Sequence, residues 1–325
     1  LVALFVAAQQ LLSQYQCQDA LDVLRLLPEK HRGSGLVNQM IGSAYFEMGD
    51  YRACLLAMRE MLRLEPYRIQ GTEIMSTALW HTKSKQELCA LGQQVVDIDK
   101  FAPETWCVVG NCFSLQQEHD TAIRFFERSI QVDQWFAYAH TLCGHEHVFN
   151  ENFDKAMVSF RSALKIDNRH YNAWYGMGSI FYRQERLELA EYHFRKAADI
   201  NKRSAVLQCY LGIVLHAQNR PMKTIEARQI LQAACAMDPK NPQIHFQLAH
   251  ILMSCAVEAD DLHEVESRLL TVRDLAPREP PVFVMLGQVC QRLGKTVEAL
   301  GHFNTAMDLD PKQSSSLKVG ALLFV

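Results

Sequence analysis

An all-α, superhelical solenoid of about nine helical hairpins is the fold this sequence predicts, and two observations carry it. Gly110, Gly144, Gly178 and Gly212 follow one another at intervals of 34 residues, with Gly42 two intervals earlier. In the same register Ala122, Ala156 and Ala190 repeat, as do Phe126, Phe160 and Phe194, and Ser129, Ala163 and Ala197. Self-similarity at a fixed period of this size is the mark of a chain built from stacked supersecondary units.

Each unit reads as two antiparallel helices. The first carries an aromatic residue or a substitute, then Gly; the second carries Ala, Phe and Ala. Glycine inside a helix costs about 1 kcal/mol relative to alanine, so its recurrence implies a close helix contact, with the bulky Phe filling the groove beside it. Pro66, Pro239, Pro277 and Pro311 close several units, where a missing donor and steric restriction stop a helix. The column pattern resembles the tetratricopeptide repeat, with Trp106 and Trp174 at the leading aromatic position.

The units fall at 1–34, 35–68, 69–102, 103–136, 137–170, 171–204, 205–241, 242–279 and 280–313, and a further helix is expected over 314–325. The unit at 69–102 carries Ser76 and Gly92 where Gly and Phe belong, which predicts distortion. Extra residues near Arg220–Arg228 and Ala256–His263 are expected as surface loops.

Composition fits a folded interaction protein. Among 325 residues 49% are apolar and 21% charged, and the net charge is −3. With no run of like charges, neither nucleic acid nor an anionic membrane is favoured as a partner. The longest apolar stretches, Leu1–Ala8 and Val319–Val325, are too short to span a bilayer. Ten cysteines lack a disulfide spacing; Cys54, Cys107, Cys143, Cys209 and Cys290 fall in small or apolar columns and read as core residues of a reducing compartment. No signal-peptide pattern is expected, and the chain reads as a segment of a longer protein.

Chemistry is sparse. His140, His145 and His147 lie on one helix but lack a ligand motif, and Cys107 and Cys112 have no second pair, so no metal or other cofactor is expected. His147 occupies a core column. The glycines have repeat spacing rather than that of a phosphate loop, and no Gly-x-Ser-x-Gly elbow occurs. The run Tyr171-Asn172-Ala173-Trp174-Tyr175 has no basic surround that would make it a base-stacking platform. Asn172 and Tyr175 stand at positions two and five of their unit, on the inward face of a helical-hairpin solenoid.

At Gly110-Asn111-Cys112-Phe113-Ser114-Leu115-Gln116, Gly144-His145-Glu146, Arg169-His170-Tyr171-Asn172-Ala173-Trp174-Tyr175-Gly176 and Ala306-Met307-Asp308-Leu309-Asp310-Pro311-Lys312, the chain resembles the tetratricopeptide-repeat scaffold subunits of the anaphase-promoting complex, or cyclosome. The resemblance covers nearly the whole chain. It implies a non-catalytic subunit of a ubiquitin ligase of cell division and mitosis, in nucleus and cytoplasm, with catalysis in other subunits of the complex. It further implies that this array binds the carboxy-terminal Ile-Arg tail of coactivators, while an amino-terminal array not in this chain forms the homodimer. On that reading Glu146 receives the tail arginine, Tyr138, Leu142 and Tyr175 form the isoleucine pocket, and Asn111, His145 and Asn172 donate to the terminal carboxylate. The departures are the added residues near Arg220 and Ala256 and the loss of proline at Gln134, Asn168 and Lys202.

Two other functions compete. A chaperone-type carboxylate clamp needs Lys, Arg and Asn at positions two, five, six and nine, which here read Tyr138, Thr141, Leu142, His145 and Asn172, Tyr175, Gly176, Ser179. The substrate arm of an enzyme such as a glycosyltransferase would need a catalytic domain, for which no residues remain.

Overall fold

The computed structural model describes residues 1–256 and 258–310; the helix expected over 314–325 lies outside them. Every regular element among the described residues is a helix. They pair as α1 (Val2–Ser13) with α2 (Cys17–Arg25), followed by the short α3 (Glu29–Arg32), then α4 (Gly35–Glu47) with α5 (Tyr51–Leu64). The series continues as α6 (Thr72–His81) with α7 (Lys85–Ile98), α8 (Pro103–Leu115) with α9 (His119–Val132), and α10 (Ala137–Phe149) with α11 (Phe153–Ile166). Next come α12 (Tyr171–Arg183) with α13 (Leu187–Ile200), and α14 (Ala205–Ala217) with α15 (Pro221–Met237). The last two pairs are α16 (Pro242–Cys255) with α17 (Ala259–Leu275), and α18 (Pro280–Arg292) with α19 (Thr296–Leu309). The chain divides into two compact units, Leu1–Ser204 and Ala205 onward.

The glycine column does what its recurrence implied. The Phe126 ring lies against Gly110, the Phe160 ring against both Gly144 and Gly176, and the Phe194 ring against Gly178. All three rings are fully buried. Met58 takes the ring's place opposite Gly42 and Leu231 opposite Gly212. The small residues that let the helices meet are themselves sealed, with Ala122, Ala156, Ala163, Ala190 and Ala197 at 0% exposure.

The leading aromatics tie down the turns between units. Trp106 and Trp174 are half-buried, and each indole donates to a carbonyl six residues back in the turn between units, that of Lys100 and that of Asn168, both at 3.0 Å. His140 reaches the Gln134 carbonyl the same way at 3.2 Å, and His245 the Pro239 carbonyl at 2.9 Å. A second side chain fixes each turn from the other side: Asp99, Asp133 and Asp167 accept from the backbone N–H two residues on. These caps hold the turn where proline is missing at Gln134 and Asn168.

A further periodicity is conformational. The turn within each of the first seven hairpins passes through the left-handed region at Tyr15, Lys83, Gln117, Glu151, Glu185 and Asn219, with φ of 52° to 64°, and at Gly49. Neighbours in this series are again 34 residues apart, yet only one is glycine, so residue type gave no sign of it.

The unit at 69–102 is distorted, as its columns predicted. Its two helices, α6 and α7, each pack more extensively on α8 than on each other. Gly92 stands where a Phe belongs, and Cys112 of α8 moves into the gap, its Sγ donating to the Leu88 carbonyl at 3.2 Å. The extra residues near Arg220 and Ala256 correct an expectation. They are absorbed chiefly by longer second helices, α15 and α17 having 17 residues where α9, α11 and α13 have 14, because adding helical turns keeps every backbone donor satisfied.

Two substitutions read this packing directly. A methyl group on Gly144 would sit 2.6 Å from the Phe160 ring, whereas one on Gly301 meets nothing within 4 Å. Gly144→Ala should cost about 1 to 3 kcal/mol and lower the thermal midpoint, while Gly301→Ala should be neutral or stabilising. Gln117→Gly should raise the midpoint, since an L side chain in the left-handed region costs about 1 kcal/mol. Circular dichroism melts of the three variants check these signs.

Candidate peptide-binding groove

The first helices α4, α6, α8, α10 and α12 share one side of the first unit, and two polar networks tie three of them together. Asn111 of α8 is 3% exposed, and its amide donates to Ser76 Oγ at 2.8 Å and Thr77 Oγ1 at 3.0 Å, both on α6. Thr77 Oγ1 in turn lies 2.6 Å from the Tyr138 hydroxyl on α10. Ser76 therefore replaces the column glycine without leaving a buried hydroxyl unpaired, since it also donates to the Glu73 carbonyl.

The second network runs deeper. Trp80 Nε1 donates to Ser114 Oγ at 3.0 Å, and Ser114 donates to Glu146 Oε1 at 2.7 Å. The other Glu146 oxygen lies 2.6 Å from His119 Nδ1 on α9. Glu146 is 5% exposed. It was expected to receive a peptide arginine, but both its oxygens are engaged by the protein and the carboxylate is sealed between repeats.

Five other residues expected in the site lie on α10 and α12. His145 is half-buried, with its ring edge-on to Phe160 at 5.1 Å and tilted over Tyr175 at 6.5 Å. Burial, with His170 and His81 nearby, pushes its pKa down to about 4, so it is neutral at pH 7. Neither its ring nitrogens nor the half-buried Asn172 amide has a hydrogen-bond partner among the described residues. Tyr175 also packs on Phe194 at 5.7 Å. Tyr138 and Leu142 lie against the cluster around Phe126 and Cys143. Burial raises the Tyr138 hydroxyl well above its ordinary range, so it stays a neutral donor. The three histidines of α10 do not converge: His140 caps a turn, His147 is 8% exposed, and only His145 lines the groove.

Sequence reading missed the acids of this groove. Tyr171 donates to Glu47 Oε2 at 2.7 Å, closing the first unit across 124 residues, and Tyr15 sits edge-on to Tyr171 at 5.1 Å. Glu73 Oε2 accepts from the Gly71 N–H at 2.9 Å. Burial pushes both carboxyls up from 4.5 to about 7. Both are close enough to Tyr138 to raise its hydroxyl further. Glu73 occupies position five of its unit, the position that singled out Tyr175.

Burial pushes Cys54, Cys112, Cys143 and Cys209 up to about 12, and all ten cysteines are free. One group of possible metal ligands, Glu266, Cys290 and Glu298, lies in the second unit. Lys295 Nζ is already bonded to both Glu266 oxygens at 2.9 and 3.0 Å. No helix among the described residues is long and apolar enough to cross a membrane.

Comparison with known proteins follows the same lines. Tetratricopeptide repeat models match residues 144–205 and 37–68. Cell division cycle protein 27 homolog B of Arabidopsis thaliana is 41% identical over 309 residues, 95% of this chain and 41% of that protein. Anaphase-promoting complex subunit 3 of Schizosaccharomyces pombe is 35% identical over 321 residues, 98% of this chain and 47% of that protein. This chain belongs to the cell division cycle protein 27 family. It spans less than half the length of these relatives. The crystal structure of the APC/C hetero-tetramer Cut9–Hcn1 shares the fold, with a TM-score of 0.78 at 17% identity over 94% of this chain and 59% of that one.

In this family member the groove acids link stability to pH. Glu47 and Glu73 hold a proton more tightly folded than unfolded, so stability falls as pH rises from about 4.5 through about 7. A Glu47→Gln/Glu73→Gln variant should therefore melt higher than the parent at pH 8, and the gap should close at pH 5. Calorimetric midpoints at the two pH values check this.

Proposed function

We propose that the chain is the tail-binding repeat array of a non-catalytic scaffold subunit of the anaphase-promoting complex ubiquitin ligase, acting in nucleus and cytoplasm. Its groove takes the carboxy-terminal Ile-Arg of coactivators. Family membership supports the assignment to the complex. The observation that carries the groove reading is the combination of two half-buried acids, neutral aromatic walls and unpartnered His145 and Asn172 on one side of the first unit.

The ligand's chemistry matches. A guanidinium needs an anionic acceptor away from water, where a charged hydrogen bond contributes about 1.5 to 3 kcal/mol. Glu73 suits this role better than Glu146, because no side chain holds its carboxylate, which accepts only from backbone N–H. Tyr138, Leu142 and Tyr175 offer the isoleucine an apolar wall, and the terminal carboxylate needs neutral donors such as Asn172 and His145. Glu146 then acts through fold: it fixes α10 against α8 and α9.

Fluorescence anisotropy with a labelled peptide ending in free Ile-Arg tests the reading. Glu73→Gln should weaken binding about tenfold, and an amidated peptide should bind more weakly. Glu146→Gln should instead lower the thermal midpoint and leave affinity near the parent's. Binding should tighten from pH 6 to pH 8, because arginine pairs with the ionised carboxylate and pulls its pKa down. Parental affinity in both Glu73→Gln and Glu47→Gln would contradict the proposal.

A further inference from the structure

A second periodicity lies on the outside of the first unit. Tyr67, Phe101 and Trp135 are 34 residues apart and occupy the same place in three consecutive turns between units. They are 82%, 73% and 69% exposed. Packing does not require an aromatic residue at such a place. Scattered exposed apolar residues are ordinary, but a column of three large aromatics in neighbouring turns is not. The fourth turn carries Arg169 instead.

These side chains stand on rigid backbone. The Phe101, Trp135 and Arg169 N–H groups each donate to an aspartate two residues back, at 2.7 to 2.9 Å, and a carbonyl of each turn is held by Trp106, His140 or Trp174. A ligand laid on them would pay little ordering entropy on the protein side. Open cavities mark both ends of the row, and they are equivalent in the repeat. Tyr67 borders one of about 760 Å³ against Ile98 of α7, and Arg169 borders one of about 410 Å³ against Ile200 of α13.

Charge distinguishes the ends. The Tyr67 cavity holds one acid, Asp97, which already accepts from Gln93. The Arg169 cavity holds Arg169 and Lys196, neither of them in an ion pair among the described residues, beside the single acid Asp199. The row therefore runs from apolar to cationic. Stacked units lie about 10 Å apart if helices pack at their usual spacing, which an extended segment covers in about three residues.

We propose that this outer edge docks an extended segment of a partner chain, with apolar side chains at about every third residue and acidic side chains beyond them at the Arg169 end. The edge is separate from the groove and does not depend on what the groove binds. The apolar residues cover Tyr67, Phe101 and Trp135; the acids meet Arg169 and Lys196.

The test uses the full chain and a fluorescein-labelled peptide with leucine at three successive third positions followed by two glutamates, the remaining residues being serine and proline. Saturable binding is expected, weakened about tenfold by Phe101→Ser/Trp135→Ser and also by Arg169→Glu. The thermal midpoints and the affinity for the Ile-Arg peptide should be unchanged, since none of these side chains is buried or lines the groove. Absence of saturable binding, or binding indifferent to both substitutions, would overturn the proposal. So would sedimentation showing that the parent chain self-associates through this edge and Trp135→Ser does not, for then a second copy covers it.

Discussion

The contact between a glycine on the first helix of each hairpin and an aromatic ring on the second is the constraint from which the rest of the first unit follows. A ring can lie flat on a helix backbone only where no Cβ intervenes. That fixes how closely the helices of a pair approach, and Phe160, touching both Gly144 and Gly176, also fixes how closely the next hairpin stacks. Helices held this way present their other faces in register, so residues 34 apart in sequence become neighbours in space. The inner groove and the outer row of turns are both products of that register.

Where the constraint lapses, polar chemistry takes over. The unit at 69–102 lacks both the glycine and the ring, and its helices cling to α8 instead of to each other. Ser76, Thr77 and Trp80 on α6 supply the cohesion through Asn111, Ser114, Tyr138 and Glu146. A buried network of this kind stabilises only while every member is satisfied. Its position beside Glu73 suggests why a weaker hydrophobic column is tolerated here: the same segment delivers the groove's acid.

Much of this was legible in the sequence, and what was not has a physical reason. The columns gave the hairpins, the closed packing around Phe126, Phe160 and Phe194, the distortion near Gly92 and the buried place of His147. Asn172, Tyr175 and His145 are half-buried on the first helices α10 and α12. Glu146 was misjudged because one residue along a helix turns a side chain by about 100 degrees, enough to send a carboxylate between repeats rather than into the groove. Glu47 could not be found locally at all, since its partner Tyr171 is brought to it by the accumulated twist of four hairpins. The left-handed turns left no compositional mark, because six of them use ordinary residues.

The central claim is that the first helices of the first unit form a peptide groove with Glu73 and His145 inside it. Photo-crosslinking reads this most directly, using a peptide ending in Ile-Arg with a benzophenone residue just before the isoleucine, followed by peptide mapping of the adduct. The account predicts adducts on α6, α8, α10 and α12, competed away by unlabelled peptide. Competable adducts confined to α9, α11 and α13, or to the second unit, would contradict it.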